Sequence, residues 1–236
     1  MNRLQQKLAK HKEHPHSLRL NGCRLSKIPD SVTDLASVTK IDLSNNQFSE
    51  IPPAITACEQ LDILNLFRNQ IDHIGDVFGS LGSLYSLQIH ENQITSIPAS
   101  IGLLENLSYT VWTSNQIVSV PDELTTLTNL KLLQLNNNQI EHVPSNIGDL
   151  TLLRELWLTN NCLTSIPESI SKLTNLVYLG IGGNSIGDET IGMLENMTWL
   201  KWLDITNTDF SDNGIEHLFN HLPSCEIFSG NRTSAR

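Results

Sequence analysis

The fold is decided by the segment LDILNLFRNQI, residues 61–71, because its pattern returns 23 residues later as LYSLQIHENQI, residues 84–94. Both segments follow the template L-x-x-L-x-L-x-x-N-x-L, with Ile in place of Leu at some positions, and further copies recur mostly at the same spacing. The apolar residues at the fourth and sixth places alternate with polar ones, which is typical of a short strand with one buried face. Such a strand buries too little surface to be stable alone, so the sequence predicts a stacked array of repeats.

An asparagine occupies the same template position in seven repeats, at the point where the chain must turn after the strand. These residues are Asn46, Asn69, Asn92, Asn115, Asn138, Asn161 and Asn184. An amide side chain carries both donors and an acceptor, so stacked asparagines can satisfy backbone groups that a buried turn leaves unpaired. We therefore predict a structural ladder rather than a ligand site. Apolar-proline pairs such as Ile97-Pro98 follow the ladder position and predict an extended residue and then a short helical turn.

These motifs make the chain resemble leucine-rich repeat proteins over roughly residues 18–228. The 23-residue repeat with its Ile-Pro pair is most similar to the intracellular Ras-suppressor type and to bacterial relatives. The resemblance implies an α/β fold, a leucine-rich repeat solenoid forming a curved right-handed arc. The parallel β-sheet would lie on the concave face and short helical turns on the convex face. We expect an N-terminal helical cap at 1–17, a solenoid of about nine to ten units at 18–228, and a C-terminal tail at 229–236.

Both ends of the array depart from the template, as terminal repeats do. Near the start, Leu4 and Leu8 share one helical face, and Cys23 stands where the ladder asparagine belongs. The stretch 188–200 predicts a helix longer than those of the other repeats, and Cys225-x-Ile227 predicts a last strand.

One interior repeat carries Thr110 and Trp112 where leucines belong. A small residue two places before a very large one suggests volume compensation in the core, with functional distortion as the alternative. A buried tryptophan also needs a partner for its indole N–H.

The distribution of charge and of cysteines limits which partners and which cellular location are expected. Residues 1–27 hold seven Lys and Arg and one acid, a net charge of +6, which leaves −16 for the rest of a chain whose total is −10. An acidic body argues against nucleic acid as a partner. We expect no membrane span, since no apolar run is long enough. The four cysteines are scattered through distant repeats, which favours a cytoplasmic location, or export as an effector if the source is bacterial.

Two apparent chemical motifs are weaker than their residues suggest. Gly183-x-Ser185-x-Gly187, followed by Asp204 and His217, has the residue order of a serine hydrolase, but a ladder asparagine lies inside it and no oxyanion-hole segment is visible. His11, His14 and His16 have no fourth ligand at suitable spacing, so only adventitious metal binding is expected there. We expect no enzyme activity, no cofactor and no dedicated metal site.

Function is then expected on the strand residues that point away from the core. On adjacent strands, these outward positions gather apolar and aromatic groups bordered by acids. The predicted partner-binding residues are Tyr109, Val111, Leu132, Glu155, Trp157, Tyr178, Trp202 and Asp204. Tyr and Trp are favoured interface anchors. Three glycines, Gly180, Gly182 and Gly183, predict bare backbone that a partner chain can approach.

The sequence thus predicts a non-catalytic protein-interaction module, a scaffold or adaptor that binds a protein or peptide on its concave face. The partner is expected to carry Lys or Arg near an apolar centre. A homodimer through the same patch, or an exported bacterial effector recognising a host protein, is the main alternative. A monomer is favoured over the dimer, and a hydrolase at Ser185 is the remote alternative.

Overall fold

The structure, a computed structural model, describes residues 3–32 and 34–230. Within these ranges ten strands form one parallel sheet whose spatial order is the order of the chain. The strands are β1 Ser17–Arg19, β2 Lys40–Asp42, β3 Ile63–Asn65, β4 Ser86–Gln88, β5 Tyr109–Val111, β6 Leu132–Gln134, β7 Glu155–Trp157, β8 Tyr178–Gly180, β9 Trp202–Asp204 and β10 Glu226–Phe228. The α-helices are α1 Arg3–Glu13, α2 Ile191–Leu194 and α3 Asp212–His221. The predicted α/β leucine-rich repeat solenoid is confirmed.

The core is a stack of apolar side chains that runs the length of the array. The middle residue of each strand faces inward, and strand pairing places these residues in register, as with Leu64 beside Leu87. Both of these leucines are fully buried, and so is Leu66 after the strand. Each repeat therefore covers the apolar face of the one before it, which a single strand could not do for itself.

The asparagine ladder joins each turn to the turns on both sides of it. The Asn92 amide donates to the carbonyl of Ile89 in its own repeat at 2.9 Å and to that of Leu66 in the preceding repeat at 3.1 Å. Its Oδ1 accepts the N–H of Ile71 at 3.0 Å. The other ladder asparagines repeat this pattern. All seven are buried, which confirms the predicted structural role.

Short 3₁₀ segments return the chain to the next strand. They span Pro53–Ala57, Phe78–Ser80, Ala99–Leu103, Asp122–Thr126, Ile147–Asp149, Glu168–Lys172 and Asp188–Thr190. Pro98 is extended, with ψ at 151°, and directly precedes its segment, as the apolar-proline pairs predict. The buried Ile101 anchors that segment in the core.

At the N-terminal end, α1 lies against the first repeat. Leu4 and Leu8 pack against the core, and the Lys7 ammonium donates to the side chain of Asn21. At the irregular ladder position, the Leu25 N–H donates to Asn46 Oδ1 at 3.0 Å, as the equivalent N–H groups do in the regular repeats, and the Cys23 N–H donates to the same oxygen. Replacing the ladder asparagine with Cys23 therefore leaves the bond to the next asparagine intact.

The C-terminal end corrects one prediction and confirms another. The helix predicted at 188–200 is longer than the 3₁₀ segments of the preceding repeats, as expected, but it ends at Leu194, as a 3₁₀ turn followed directly by the four-residue α2. The helix ends here because the side-chain amide of Asn196, rather than its backbone N–H, donates to the carbonyl of Gly192, at 2.6 Å. The predicted last strand is β10. Between β9 and β10 lies α3, which the sequence reading did not identify. Ser211 caps its N-terminus, since Ser211 Oγ accepts the N–H of Gly214 at 3.0 Å.

The irregular repeat at β5 supports volume compensation. Thr110 and Trp112 are both fully buried, so a large ring fills space that a small neighbour vacates. The expectation that the indole has a partner is wrong: neither Trp112 Nε1 nor Thr110 Oγ1 forms a hydrogen bond within the described chain. The Trp112 ring is enclosed by apolar side chains, and the ladder asparagines already use the backbone carbonyl of this residue.

Candidate partner-binding face

Two residues of each strand point away from the core, and strand pairing aligns them in two columns. In the first column Tyr109 lies beside Leu132, and Glu155 lies beside Tyr178. Tyr109 and Tyr178 are exposed, at 36% and 40% of their full surface. The apolar groups between them are partly buried. The predicted site residues therefore share one face of the sheet.

Four aromatic side chains on β7 to β10 touch one another in a continuous ridge. Trp157 stacks with Tyr178 at a ring-centroid distance of 6.4 Å and packs against Trp202 at 4.9 Å. Trp202 in turn meets Phe228 at 5.0 Å. We call these four residues the aromatic ridge. Sequence reasoning missed Phe228, although extending the outward column by one more strand places it beside Asp204.

The glycines of this region are covered rather than bare, which corrects the sequence-based prediction. A Cβ at Gly180 would lie 2.9 Å from Cε3 of Trp157, so the indole ring occupies the space that a side chain would fill. At Gly182, a Cβ would lie 2.7 Å from the Thr206 hydroxyl. Gly183 has a φ of 65°, the left-handed conformation that the residue before the ladder position adopts in most repeats. The glycines thus serve the side chains around them: Gly180 seats the ridge.

The carboxylates beside the ridge are held in place by hydrogen bonds. Glu155 Oε2 accepts the indole N–H of Trp157 at 3.1 Å. Asp204 accepts three bonds: the Thr206 N–H at 2.9 Å, the Thr206 hydroxyl at 2.6 Å and the Thr159 hydroxyl at 3.3 Å. Each of these donors is neutral, so the negative charge of Asp204 is positioned but not neutralised. The arrangement presents fixed negative charge next to an aromatic surface.

Tyr109 belongs to a separate aromatic pair. Its ring meets that of Tyr85, just before β4, edge to face at 5.3 Å. A side-chain hydrogen bond between them raises the pKa of Tyr85 above its usual value. Leu132 and Glu155 lie between this pair and the ridge. The patch predicted as one unit is therefore two aromatic clusters joined by Leu132.

The structure does not assemble a hydrolase from the residues of the elbow-like motif. His217 pairs with Glu195, at 2.5 Å from Nε2 to Oε2, and Asp204 is engaged by Thr159 and Thr206. No hydrogen bond joins Ser185 to His217 in the part of the chain that the structure describes.

The N-terminal histidines are not gathered into a metal-binding group. His11 and His16 bind the backbone carbonyls of Ser17 and Ser37 through Nδ1, and His14 is exposed. Among the described residues the one group of three possible metal ligands is Glu195, His217 and His221.

Comparison with protein families identifies the fold family of the chain. The description "Leucine rich repeat" matches residues 16–71 and "Leucine-rich repeat region" matches residues 119–223. The chain belongs to the leucine-rich repeat proteins. No curated protein sequence matches it significantly. Among the described residues, no helix is long and apolar enough to cross a lipid bilayer.

Several solved structures share the fold. The ectodomain of the receptor kinase GASSHO1/SCHENGEN3 from Arabidopsis thaliana, in complex with Casparian strip integrity factor 2, is 26% identical with a TM-score of 0.73. The match covers 84% of this chain and 25% of the ectodomain. The plant peptide hormone receptor RGFR1 in complex with RGF2 is 26% identical with a TM-score of 0.72, over 86% of this chain and 33% of the receptor.

A bacterial structure matches over almost its whole length. The leucine-rich repeat protein of Leptospira interrogans is 18% identical with a TM-score of 0.54, over 93% of this chain and 98% of that protein. At this identity the likeness concerns the fold alone. The chain therefore spans a quarter to a third of the two receptor ectodomains but has nearly the extent of the bacterial repeat protein.

Proposed function

We propose that this leucine-rich repeat protein is a non-catalytic scaffold or adaptor that binds a protein or peptide on the concave face of its sheet. The observation that carries the proposal is the aromatic ridge. Only 6% of the residues are aromatic, yet four of them touch one another on one face of the last four strands. Large aromatic side chains with partial exposure are typical binding hot spots, because they bury much area for few frozen rotors.

The structural neighbours support binding of a peptide or protein as the general function. Two of them are a receptor ectodomain in complex with Casparian strip integrity factor 2 and a plant peptide hormone receptor in complex with RGF2. Since this chain corresponds to only part of those ectodomains, their particular ligands do not carry over. What carries over is that a leucine-rich repeat array can bind a peptide or protein partner.

The carboxylates define the chemistry of the proposed partner. Asp204 and Glu155 border the ridge, and the exposed Glu226 lies beside Trp202 in the sheet. A Lys or Arg next to an apolar side chain would complement this arrangement, with the charge contributing chiefly to specificity and association rate. Negative charge on the binding face also argues against nucleic acid as the partner.

Location in a reducing compartment and a monomeric state belong to the same proposal. All four cysteines are free thiols. Burial raises the pKa of Cys58 and of Cys225 to about 11, which keeps both in the unreactive thiol form. A fluorescent fusion in the source cells tests the cytoplasmic location, and a secreted fusion would contradict it.

The test is the affinity of a partner, identified by proximity labelling, for the double variant Trp157→Ala/Tyr178→Ala. Losing two hot-spot side chains should cost about 2 kcal/mol or more, a weakening of roughly thirty-fold. The matched control is Ile63→Ala/Gln88→Ala, which truncates the same two columns on β3 and β4. We expect the control to bind as the wild type does. Equal weakening of both variants, or of neither, would contradict the placement of the site.

Two other functions make different predictions for the same protein. A homodimer through the ridge would give a mass that rises with concentration in light scattering, whereas we expect a constant monomer mass. A hydrolase at Ser185 would be labelled by a fluorophosphonate probe, and we expect no label.

A further inference from the structure

Three side chains with metal-binding atoms converge at the C-terminal end, away from the strand residues that form the binding face. His217 and His221 are one helical turn apart on α3, and their rings stack at a centroid distance of 3.9 Å. Glu195, directly after α2, bonds to His217 Nε2 through Oε2 at 2.5 Å. One ligand atom from each of the three residues lies within 4.8 Å of the other two.

The hydrogen bonds fix which ring nitrogens are available. Nδ1 of His221 contacts the backbone carbonyl of His217 at 2.9 Å. A carbonyl only accepts, so Nδ1 carries the proton and Nε2 of His221 keeps its lone pair. Glu195 and His217 Nε2 share one proton. The bond to His217 is the main cause that lowers the pKa of Glu195, so the carboxylate is ionised near neutral pH.

We propose that Glu195, His217 and His221 form a site for one divalent transition-metal ion, of which zinc is the best match. Two imidazoles and one carboxylate are a common three-residue ligand set for zinc, with bonds of about 2.0–2.2 Å. In a tetrahedral site of that size, ligand atoms lie roughly 3.4 Å apart. The Glu195–His217 contact of 2.5 Å would open to that value when the ion replaces the hydrogen bond, and the other separations, at most 4.8 Å, would close to it.

Zinc would bind His217 through Nε2 as a neutral imidazole, with the ring hydrogen on Nδ1. The hydrogen that Nε2 shares with Glu195 is therefore replaced by the ion, and a neutral ring changes tautomer without losing a proton. His221 Nε2 and the Glu195 carboxylate bind without losing a proton. The partial exposure of all three residues leaves a fourth position open to solvent.

The bound ion would fasten α3 to α2 at the end of the array. Glu195 belongs to the repeat of β8, whereas both histidines belong to the next repeat, so the ion would bridge two repeats. An ion that binds only the folded state stabilises it in proportion to the logarithm of its concentration over Kd. The inference is independent of the proposed binding face.

The experiment uses the full chain, freed of metal with a chelator, and zinc ion as the probe. Calorimetry should show one zinc ion bound per chain at this site, and zinc should raise the melting temperature. In His221→Ala and in Glu195→Gln, the affinity of the chain for this zinc ion should fall at least ten-fold, and zinc should no longer raise the melting temperature. Cobalt(II) should give the intense visible absorption of a tetrahedral ion in the wild type only.

The control is His14→Ala/His16→Ala, which removes two N-terminal histidines and should leave the affinity for this zinc ion unchanged. His221 is exposed, so its replacement tests the site even if loss of the His217 pair destabilises the chain. Zinc affinity that is unchanged in His221→Ala, or lost in the N-terminal control, would overturn the proposal. Wild-type protein that binds no zinc would overturn it as well.

Discussion

The sheet face over β1 to β4 and the face over β6 to β10 are built on the same scaffold but carry different side chains. Both have inward leucines in register and asparagines that bond alike, as Asn69 and Asn161 do. Outward residues of the first half are mostly polar, such as Lys40 and Gln88, whereas those of the second half form the aromatic ridge. The difference shows that the repeat determines where a side chain stands and leaves its chemistry free to vary.

The first half is not devoid of aromatic rings, and the contrast with the ridge lies in how they are covered. Phe67 stacks on His90 at 4.2 Å, and the Arg68 guanidinium lies 5.1 Å from the centroid of the same ring. Arg68 also pairs with Glu91 at 2.9 Å. These intramolecular partners occupy Phe67, whereas Tyr178 stays exposed. Tyr85 is as exposed as Tyr178, but its ring meets only that of Tyr109 among the aromatic contacts of the described residues, whereas Tyr178 belongs to a ridge of four rings.

The scaffold should be equally sensitive in both halves, which is the largest effect we expect. Replacing Asn69 in the first half, or Asn161 in the second, with Ala leaves one buried backbone N–H and two backbone carbonyls without the hydrogen bonds that the asparagine makes. Each substitution should lower the free energy of unfolding by about 3 kcal/mol. Urea denaturation measures this loss. The exposed Asn45 is not a suitable control position, because its backbone is left-handed and alanine would be strained there. Exposed Gln93→Ala is suitable and should cost little. A loss confined to one half would break the equivalence of the scaffolds.

Gly180→Ala should disturb the ridge without touching the core. The added Cβ would lie 2.9 Å from both Trp157 Cε3 and the Thr159 hydroxyl, so the indole must move. We expect partner affinity to fall roughly five- to ten-fold, about 1 kcal/mol, with a red shift of tryptophan fluorescence. Gly82→Ala in the first half is the control, since its Cβ would meet nothing within 4 Å. Unchanged fluorescence and affinity would show that the glycine does not seat Trp157.

Thr110→Val on β5, at the boundary between the halves, should give the smallest effect and one of opposite sign. The hydroxyl is buried without a partner, and Val keeps the shape while removing that polar group. The free energy of unfolding should rise by about 1 kcal/mol. Partner affinity should not change, because the residue faces inward. Thermal or urea unfolding measures this. A variant less stable than the wild type would mean that the Thr110 hydroxyl has a hydrogen-bond partner in the folded protein.

The period and the polarity pattern suffice to predict the strands, the ladder and the outward columns, since each depends on local spacing alone. The position of Trp157 over Gly180 was not predictable that way, because it depends on which rotamer a side chain adopts across two strands. The length of α2 could not be predicted from the helical pattern alone, because it depends on the Asn196 side chain taking the Gly192 carbonyl from the helix. The convergence of Glu195 with His217 required the packing of α2 on α3. The spacing of His217 and His221 alone was visible in the sequence.

Site-specific photocross-linking from the two halves of the face, in the source cells, tests directly whether the partner binds at the ridge. A photoreactive phenylalanine analogue is placed at Tyr178 in one variant and at Ser86, in the same column on β4, in the other. If the aromatic ridge is the binding site, position 178 should give a defined covalent adduct with one partner protein and position 86 should give none. That adduct should be lost when Trp157→Ala is added. Adducts from position 86 alone, or equal adducts from both positions, would contradict binding at the ridge.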